Sequence, residues 1–225
     1  MAVARGYFIT GTDTGVGKSW CSAGLMLKLR QQGQSVAGMK PVASGCTKTT
    51  EGMRNEDASL LLSQASIELP YELINPFAYE QPIAPHIAAG YAGRSIQIDI
   101  IRDDYLRIAG QVDQVIVEGV GGWKVPLNET ETVADLARAL GLPVIMLVGL
   151  RLGCINHALL TAEAIRNDGC KLVGWIANTL EPDMAEQATV VETLEKQLEA
   201  PLLGVVPYMN ELSVAEIAAV LTLPG

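Results

Sequence analysis

The sequence predicts an α/β fold: one domain over residues 1–225, built on a doubly wound, mostly parallel sheet. Three observations predict it. Short β-rich runs alternate with helical patterns along the whole chain. Several of those runs are apolar at every residue rather than at every second one, as strands covered on both faces are. No repeat, linker or low-complexity tract divides the 225 residues, a length that suits one large core. Such alternation implies right-handed strand–helix–strand crossovers.

Residues 6–10 form the first expected strand, and 17–32 a helix ending near Gly33. Residues 35–40 read as a second strand, stopped by Pro41, whose ring cannot continue the ladder. A short helix is expected over 55–64 with Asn55 as its candidate cap. A helix over 96–109 precedes a nearly all-apolar strand over 112–118. Then come a helix over 132–140, a buried strand over 143–148 and a helix over 156–167, for which Asn156 is a candidate N-cap. A strand over 172–177, a helix over 184–198 and a last strand over 203–206 complete the pattern. At the chain start, Met1-Ala2-Val3-Ala4-Arg5 runs straight into the first strand without a signal-peptide core.

Composition narrows the function classes. With 49% hydrophobic and 18% charged residues, the chain is expected to be globular rather than disordered. A formal net charge of −9 and the lack of any dense Lys/Arg cluster argue against a nucleic-acid partner. The most apolar stretch, residues 142–150, is too short to span a membrane and contains Pro143 and Gly149, so no membrane partner and a cytoplasmic location are expected. Cys21, Cys46, Cys154 and Cys170 show no C-x-x-C spacing and no His at zinc-site offsets, which fits free thiols. Asn128-Glu129-Thr130 matches a glycosylation acceptor that a cytosolic protein would not use.

The chemistry starts at Gly11-Thr12-Asp13-Thr14-Gly15-Val16-Gly17-Lys18-Ser19, between the first strand and the first helix. A glycine-rich turn running into a helix N-terminus cradles phosphates with backbone N–H groups and the positive helix end. Lys18 would reach the β- and γ-phosphates and Ser19 would ligate Mg²⁺, so the chain is read as P-loop NTPase-like, with ATP or GTP as its nucleotide. The usual spacing puts the first glycine at position 12; here Thr12 holds it and Gly11 comes one residue early.

In doubly wound sheets, ligands sit beyond the carboxyl ends of the strands. Lys40-Pro41-Val42-Ala43-Ser44-Gly45 follows the second strand, and Lys40 reads as a cation for a phosphate or, equally, as a surface lysine. Glu118-Gly119-Val120-Gly121-Gly122-Trp123 follows the 112–118 strand. A carboxylate at a buried strand tip is costly unless paired or holding a metal. Asp57 reads either as a second metal-side acid or as a residue meeting the helix dipole. Leu152-Gly153-Cys154-Ile155-Asn156-His157 runs into a helix, where carboxylates and phosphates bind well; His157 is expected to pack or hydrogen-bond locally. Asn178 and Pro207-Tyr208 end the last two strands and are candidate base contacts.

Taken together, the phosphate loop, Lys40-Pro41-Val42-Ala43-Ser44-Gly45, Glu118-Gly119-Val120-Gly121-Gly122-Trp123 and Gly153-Cys154-Ile155-Asn156-His157-Ala158 resemble the dethiobiotin synthetase family, early Gly11 included. Asn75-Pro76, Pro85-His86-Ile87 and Gly174-Trp175-Ile176-Ala177-Asn178 extend the resemblance, which runs to about Met209. It implies that 7,8-diaminononanoate, CO₂ and ATP give dethiobiotin, ADP and phosphate, by way of a carbamate and a carbamic–phosphoric anhydride. It implies Lys18 and Lys40 as catalytic lysines, and Mg²⁺ on Ser19, Asp57 and Glu118. The implied nucleotide contacts are these residues with Gly15, Val16, Gly17 and Trp20, and with Asn178, Thr179, Pro207, Tyr208 and Met209 on the adenine side. Thr14, Ser44, Val120 and Gly121 would meet the diamine. Gly153, Cys154, Ile155 and Asn156 of the second subunit would hold its distant carboxylate, which implies a homodimer. Some members carry an acid where Gly15 stands, and Lys124-Val125 is a local difference.

Two other readings share the phosphate loop. A cobyrinate-type amidoligase needs a glutaminase domain for which 225 residues leave no room. A plasmid-partition ATP switch carries an extra lysine where Asp13 stands.

Overall fold

The protein is described here as a computed structural model covering residues 6–211 and 213–225; the expected run-in of residues 1–5 lies outside the described residues. In chain order the first half contains β1 (Gly6–Gly11), α1 (Lys18–Gln31), β2 (Val36–Met39), β3 (Val42–Ala43), β4 (Thr47–Thr49), β5 (Gly52–Arg54), α2 (Glu56–Ser63), α3 (Tyr71–Ile74), β6 (Phe77–Ala78), α4 (Pro85–Tyr91) and α5 (Ile98–Ala109). The second half contains β7 (Gln114–Glu118), α6 (Val133–Leu140), β8 (Val144–Leu150), α7 (Cys154–Asn167), β9 (Leu172–Thr179), α8 (Gln187–Gln197), β10 (Leu202–Val206) and α9 (Val214–Val220).

Six strands form one sheet in the order β10-β9-β8-β1-β7-β2, and every pairing in it is parallel. Successive strand residues point to opposite faces, and both faces are apolar. Phe8, Val115, Val117 and Met146 enter one core with Trp175. Ile9, Ile116, Ile145 and Leu147 enter the other with Leu25, Met26 and Ile217. Helices α1 and α9 therefore cover one face, while Ile101 and Ile108 of α5, Leu136 of α6 and Ile165 of α7 cover the other. From β1 the chain moves to β2 and β7 at one side, then returns past β1 to β8, β9 and β10. The order reverses beside β1, and a crevice at such a point is where these sheets bind ligands.

Helix ends follow their local chemistry. Asn55 caps α2 by accepting from the Ala58 N–H at 3.2 Å. Thr132 and Asp135 form a reciprocal capping box on α6, and Gly141 closes that helix in the left-handed conformation at φ 65°. The expected start of α7 needs correction. The helix begins at Cys154 after Gly153 at φ 91°, so Asn156 is not its cap but an exposed residue within the first turn. Residues 42–95 hold the β3–β6 pair, the β4–β5 hairpin and the short helices α3 and α4, none of them predicted. Helix α9 was also not predicted.

No helix among the described residues is long and apolar enough to cross a membrane. Cys21, Cys46, Cys154 and Cys170 are free thiols. The Asn128 side chain is engaged, accepting from the N–H groups of Thr130 and Glu131 at 3.0 and 2.9 Å.

Replacing Asn55 with Ala should lower unfolding stability by about 1 kcal/mol, the usual cost of a lost N-cap. Urea unfolding checks this; an unchanged midpoint would mean that the Ala58 N–H finds another partner.

Candidate functional site

The loop between β1 and α1 is held from three directions. The Thr12 N–H donates to the Leu147 carbonyl on β8 at 2.9 Å. The Asn178 amide on β9 donates to the Val16 carbonyl at 3.0 Å. Arg151, just past β8, forms an ion pair with the Asp13 carboxylate. Asp13 is held below the usual carboxylate range, first by the Thr14 N–H and then by Arg151. Gly17 precedes α1 at φ 89° with no side-chain cap on the helix. A side chain there would be strained and would run into the Asn178 amide. The first turn of α1 thus keeps its N–H groups for a ligand.

Lys18 and Ser19, the first residues of α1, are buried. The Lys18 ammonium donates to the Asp13 carbonyl at 2.9 Å, and burial pushes it down to about 8 against the pull of Glu118.

Lys40 comes directly after β2. In the β2–β7 register Met39 lies beside Val117, so the next residues, Lys40 and Glu118, fall side by side. The Lys40 ammonium donates to Glu118 Oε1 at 2.5 Å and to Asp57 Oδ2 at 2.9 Å. Burial would lower Lys40, but the two carboxylates outweigh it and hold the group above its ordinary value. Asp57 behaves in mirror image: burial raises it, and Lys40 and Ser19 bring it below the usual range. Glu118 is fully buried at 0% exposure. Its Oε1 also accepts from the Ser19 hydroxyl at 2.9 Å, and its Oε2 has no protein partner.

The backbone behind Lys40 is pinned by residues that sequence reasoning assigned no role. The Lys40 N–H donates to the Ile74 carbonyl at 2.8 Å, and its carbonyl accepts from the Asn75 amide at 2.7 Å. Tyr71 donates to Asn75 at 3.2 Å and accepts from the Asn55 N–H at 2.7 Å. This chain of bonds ties the start of α2, and with it Asp57, to Lys40.

The loop after Glu118 is anchored at Trp123. Its ring meets Phe8 edge-on at 6.4 Å, and its indole N–H donates to Asp168 Oδ2 at 2.7 Å. Lys124, the local departure noted in the sequence, pairs with the same carboxylate at 2.6 Å. Burial raises Asp168, but the Lys124 and Trp123 bonds win and hold it below the usual range. Gly121 sits at φ 62° close to the Val125 side chain, which turns the loop back toward the phosphate loop.

One cleft of about 530 Å³ collects most of these groups. It is lined by Thr14, Gly15, Gly17, Lys18, Ser19 and Trp20 of the phosphate loop and α1, by Lys40, Ser44, Asp57, Glu118, Val120 and Gly121, and by Asn178, Thr179, Pro207, Tyr208 and Met209. Val16 lines no part of it and is buried in the core, offering its carbonyl to Asn178. Gly153, Cys154, Ile155 and Asn156 also lie off the cleft; Cys154 is buried and Asn156 exposed. His157 is exposed rather than packed, close enough for its charge to act on Asp13. Leu180, Asn210 and Ile217 were missed as cleft residues: Leu180 and Asn210 directly follow predicted contacts, whereas only folding of α9 brings Ile217 there. Cys21 also borders the cleft, its thiol pushed up to about 12 by burial and then by Glu118.

A buried lysine and an uncapped helix start behind a glycine-rich loop, at the order reversal of a parallel sheet, define a P-loop nucleotide-binding protein. The MinC:MinD cell division protein complex of Aquifex aeolicus shares the fold, with a TM-score of 0.60 at 17% identity over 96% of this chain and 86% of that one. A family model described as an AAA domain matches residues 5–216. The ATP-dependent dethiobiotin synthetase BioD of Cellvibrio japonicus (strain Ueda107) is 49% identical over 219 residues, 97% of this chain and 96% of the relative. That of Pseudomonas aeruginosa (strain LESB58) is 49% identical over 218 residues, 96% of each chain. This chain belongs to the ATP-dependent dethiobiotin synthetase family.

Two outcomes are expected of the site. Asp168→Ala should lower stability by about 1–2 kcal/mol by orphaning the Trp123 indole N–H, while Asp168→Asn, which keeps an acceptor, should lose less than half of that; equal losses in thermal unfolding would assign the effect to the Lys124 pair instead. Binding of a nucleotide triphosphate should take up protons near pH 8, because phosphates restore the Lys18 charge that burial disfavours, and affinity should fall as pH rises through about 8. Calorimetry in buffers of different ionisation enthalpy reads this directly; absence of proton uptake would show that Lys18 stays fully charged in the free protein.

Proposed function

We propose that this chain is the ligase that closes the ureido ring of dethiobiotin from 7,8-diaminononanoate, CO₂ and ATP, releasing ADP and phosphate. The observation that carries it is the meeting of Lys18, Lys40, Ser19, Asp57 and Glu118 at one cleft, in a chain 49% identical to dethiobiotin synthetases over nearly its whole length.

One amine of the diamine captures CO₂ as a carbamate. A carbamate oxygen attacks the γ-phosphorus, the bond to the ADP oxygen breaks, and a carbamic–phosphoric anhydride forms. The second amine attacks the anhydride carbon, phosphate departs, and the ring closes. Phosphorylation is what turns the carbamate oxygen into a leaving group. Such phosphoryl transfer asks for positioning and charge stabilisation more than for covalent help. Lys18 and the α1 N-terminus hold the phosphates. Lys40 stands between the carbamate and the transferring group. Both ammonium groups also disfavour protonation of a nearby substrate amine, keeping it nucleophilic. Thr14, Ser44, Val120 and Gly121, which line the cleft, would meet the diamine, and Asn178, Thr179, Pro207, Tyr208 and Met209, which also line it, would meet the base.

Ser19, Asp57 and Glu118 fit Mg²⁺: they are hard oxygen donors, and the buried Glu118 Oε2 lacks any protein partner. When bound, the ion neutralises charge on the phosphate oxygens. Gly153, Cys154, Ile155 and Asn156 do not line the cleft of their own chain, so their use in holding the substrate carboxylate calls for a second copy. The full exposure of Leu152 beside them, with Leu160 at 57%, supports a homodimer contact there. Function in the cytoplasm accords with these substrates.

Phosphate release from ATP should require both CO₂ and 7,8-diaminononanoate, with dethiobiotin found by mass spectrometry; release indifferent to the diamine would sink the proposal. Lys18→Ala should lose on the order of 3 kcal/mol of transition-state stabilisation, as when an oxyanion donor is removed, and unchanged turnover would remove Lys18 from the mechanism.

A further inference from the structure

We propose that Lys40 is the resident counter-cation of the metal site. In the nucleotide-free protein its ammonium takes the place between Asp57 and Glu118, and it must let go of Glu118 before a divalent ion enters. The proposal rests on the reading of Ser19, Asp57 and Glu118 as metal ligands and adds to it an order of events.

A fully buried carboxylate such as Glu118 is not tolerated without a partner charge. Of the two lysines at the cleft, only Lys40 bonds to the carboxylates. It bridges Glu118 Oε1 and Asp57 Oδ2, the arrangement of one cation between two anionic ligands, and it shares Oε1 with the Ser19 hydroxyl. Lys18 instead turns to the Asp13 carbonyl. Ser19 Oγ, Asp57 Oδ2 and Glu118 Oε1 are thus already engaged with one another or with Lys40, while the buried Glu118 Oε2 is left open.

Charge counting gives the order. Two carboxylates face two ammonium groups, so the protein's own charges at the site balance. A divalent ion added alone would overload it with positive charge and would have to compete with Lys40 for Glu118. A triphosphate brings the missing negative charge and offers Lys40 another anion. The swing needs only the flexible side chain, because the Lys40 backbone stays pinned by Ile74 and Asn75. Nucleotide and metal therefore bind together, and the metal alone binds weakly.

Mn²⁺ binding to the nucleotide-free protein, followed by electron paramagnetic resonance, tests this. Lys40→Met should bind Mn²⁺ about ten-fold or more tightly than the unaltered chain, because its two carboxylates have lost their counter-ion. Lys40→Gln, which can still donate a hydrogen bond to Glu118, should gain in the same direction if the Met variant fails to fold. Lys18→Met should gain clearly less than Lys40→Met, since Lys18 bonds to neither carboxylate and acts on them only through space. Unchanged or weaker Mn²⁺ binding in the Lys40 variants would overturn the proposal, as would an equal gain in Lys18→Met. Adding Glu118→Gln to Lys40→Met should abolish the gain. Tight binding that survives the second change would overturn both this proposal and the reading of Glu118 as a metal ligand, while equal binding in all forms overturns the counter-cation role alone.

Discussion

The ion pair between Lys40 and Glu118 is the constraint around which the cleft is built. At 2.5 Å and with both groups buried, each charge offsets the cost of burying the other. Removing one partner of such a pair typically costs about 3–5 kcal/mol. Its placement follows from the sheet, because the parallel register of β2 against β7 carries both residues past the strand ends at the same level. The same strand tip lies beside β1, where Ile9 pairs with Glu118. Hence the phosphate loop, the acid and the lysine meet without any long-range search by flexible side chains.

Around this pair, each strand-end loop is fastened to a neighbouring element. Asn178 holds Val16, Arg151 holds Asp13, Asn75 holds the Lys40 carbonyl, and Asp168 holds Trp123. Three of these bonds join a loop to the sheet or to a helix end, and the Arg151–Asp13 pair joins two strand-end loops. A cleft assembled this way has a pre-organised backbone: its loops are held before a ligand arrives, and binding need not order them.

The sequence was most legible where local chemistry decides the outcome. Strands buried on both faces, the glycine-rich turn and the Asn55 cap all carry their signals within a few residues. It was least legible where a contact crosses the fold. The two-residue strands β3 and β6 exist only because Val42 and Phe77 are brought together. Asp57 looked like an ordinary acid in a first helical turn; its ion pair depends on Lys40, 17 residues away. Asp168, 45 residues from Trp123, had no signal at all. The start of α7 was misjudged because Gly153, not the polar Asn156, makes the turn into it.

The burial of Cys21 has a consequence for chemistry from outside the protein. Its thiol stays protonated far above neutral pH, so alkylating reagents find almost no thiolate to attack. Reaction must wait until α1 lifts from the sheet, and the labelling rate then reports how often that happens. Cys170, only partly buried, gives an internal comparison in the same molecule. The chain therefore carries its own clock for opening of the helix that follows the phosphate loop, with no foreign probe added.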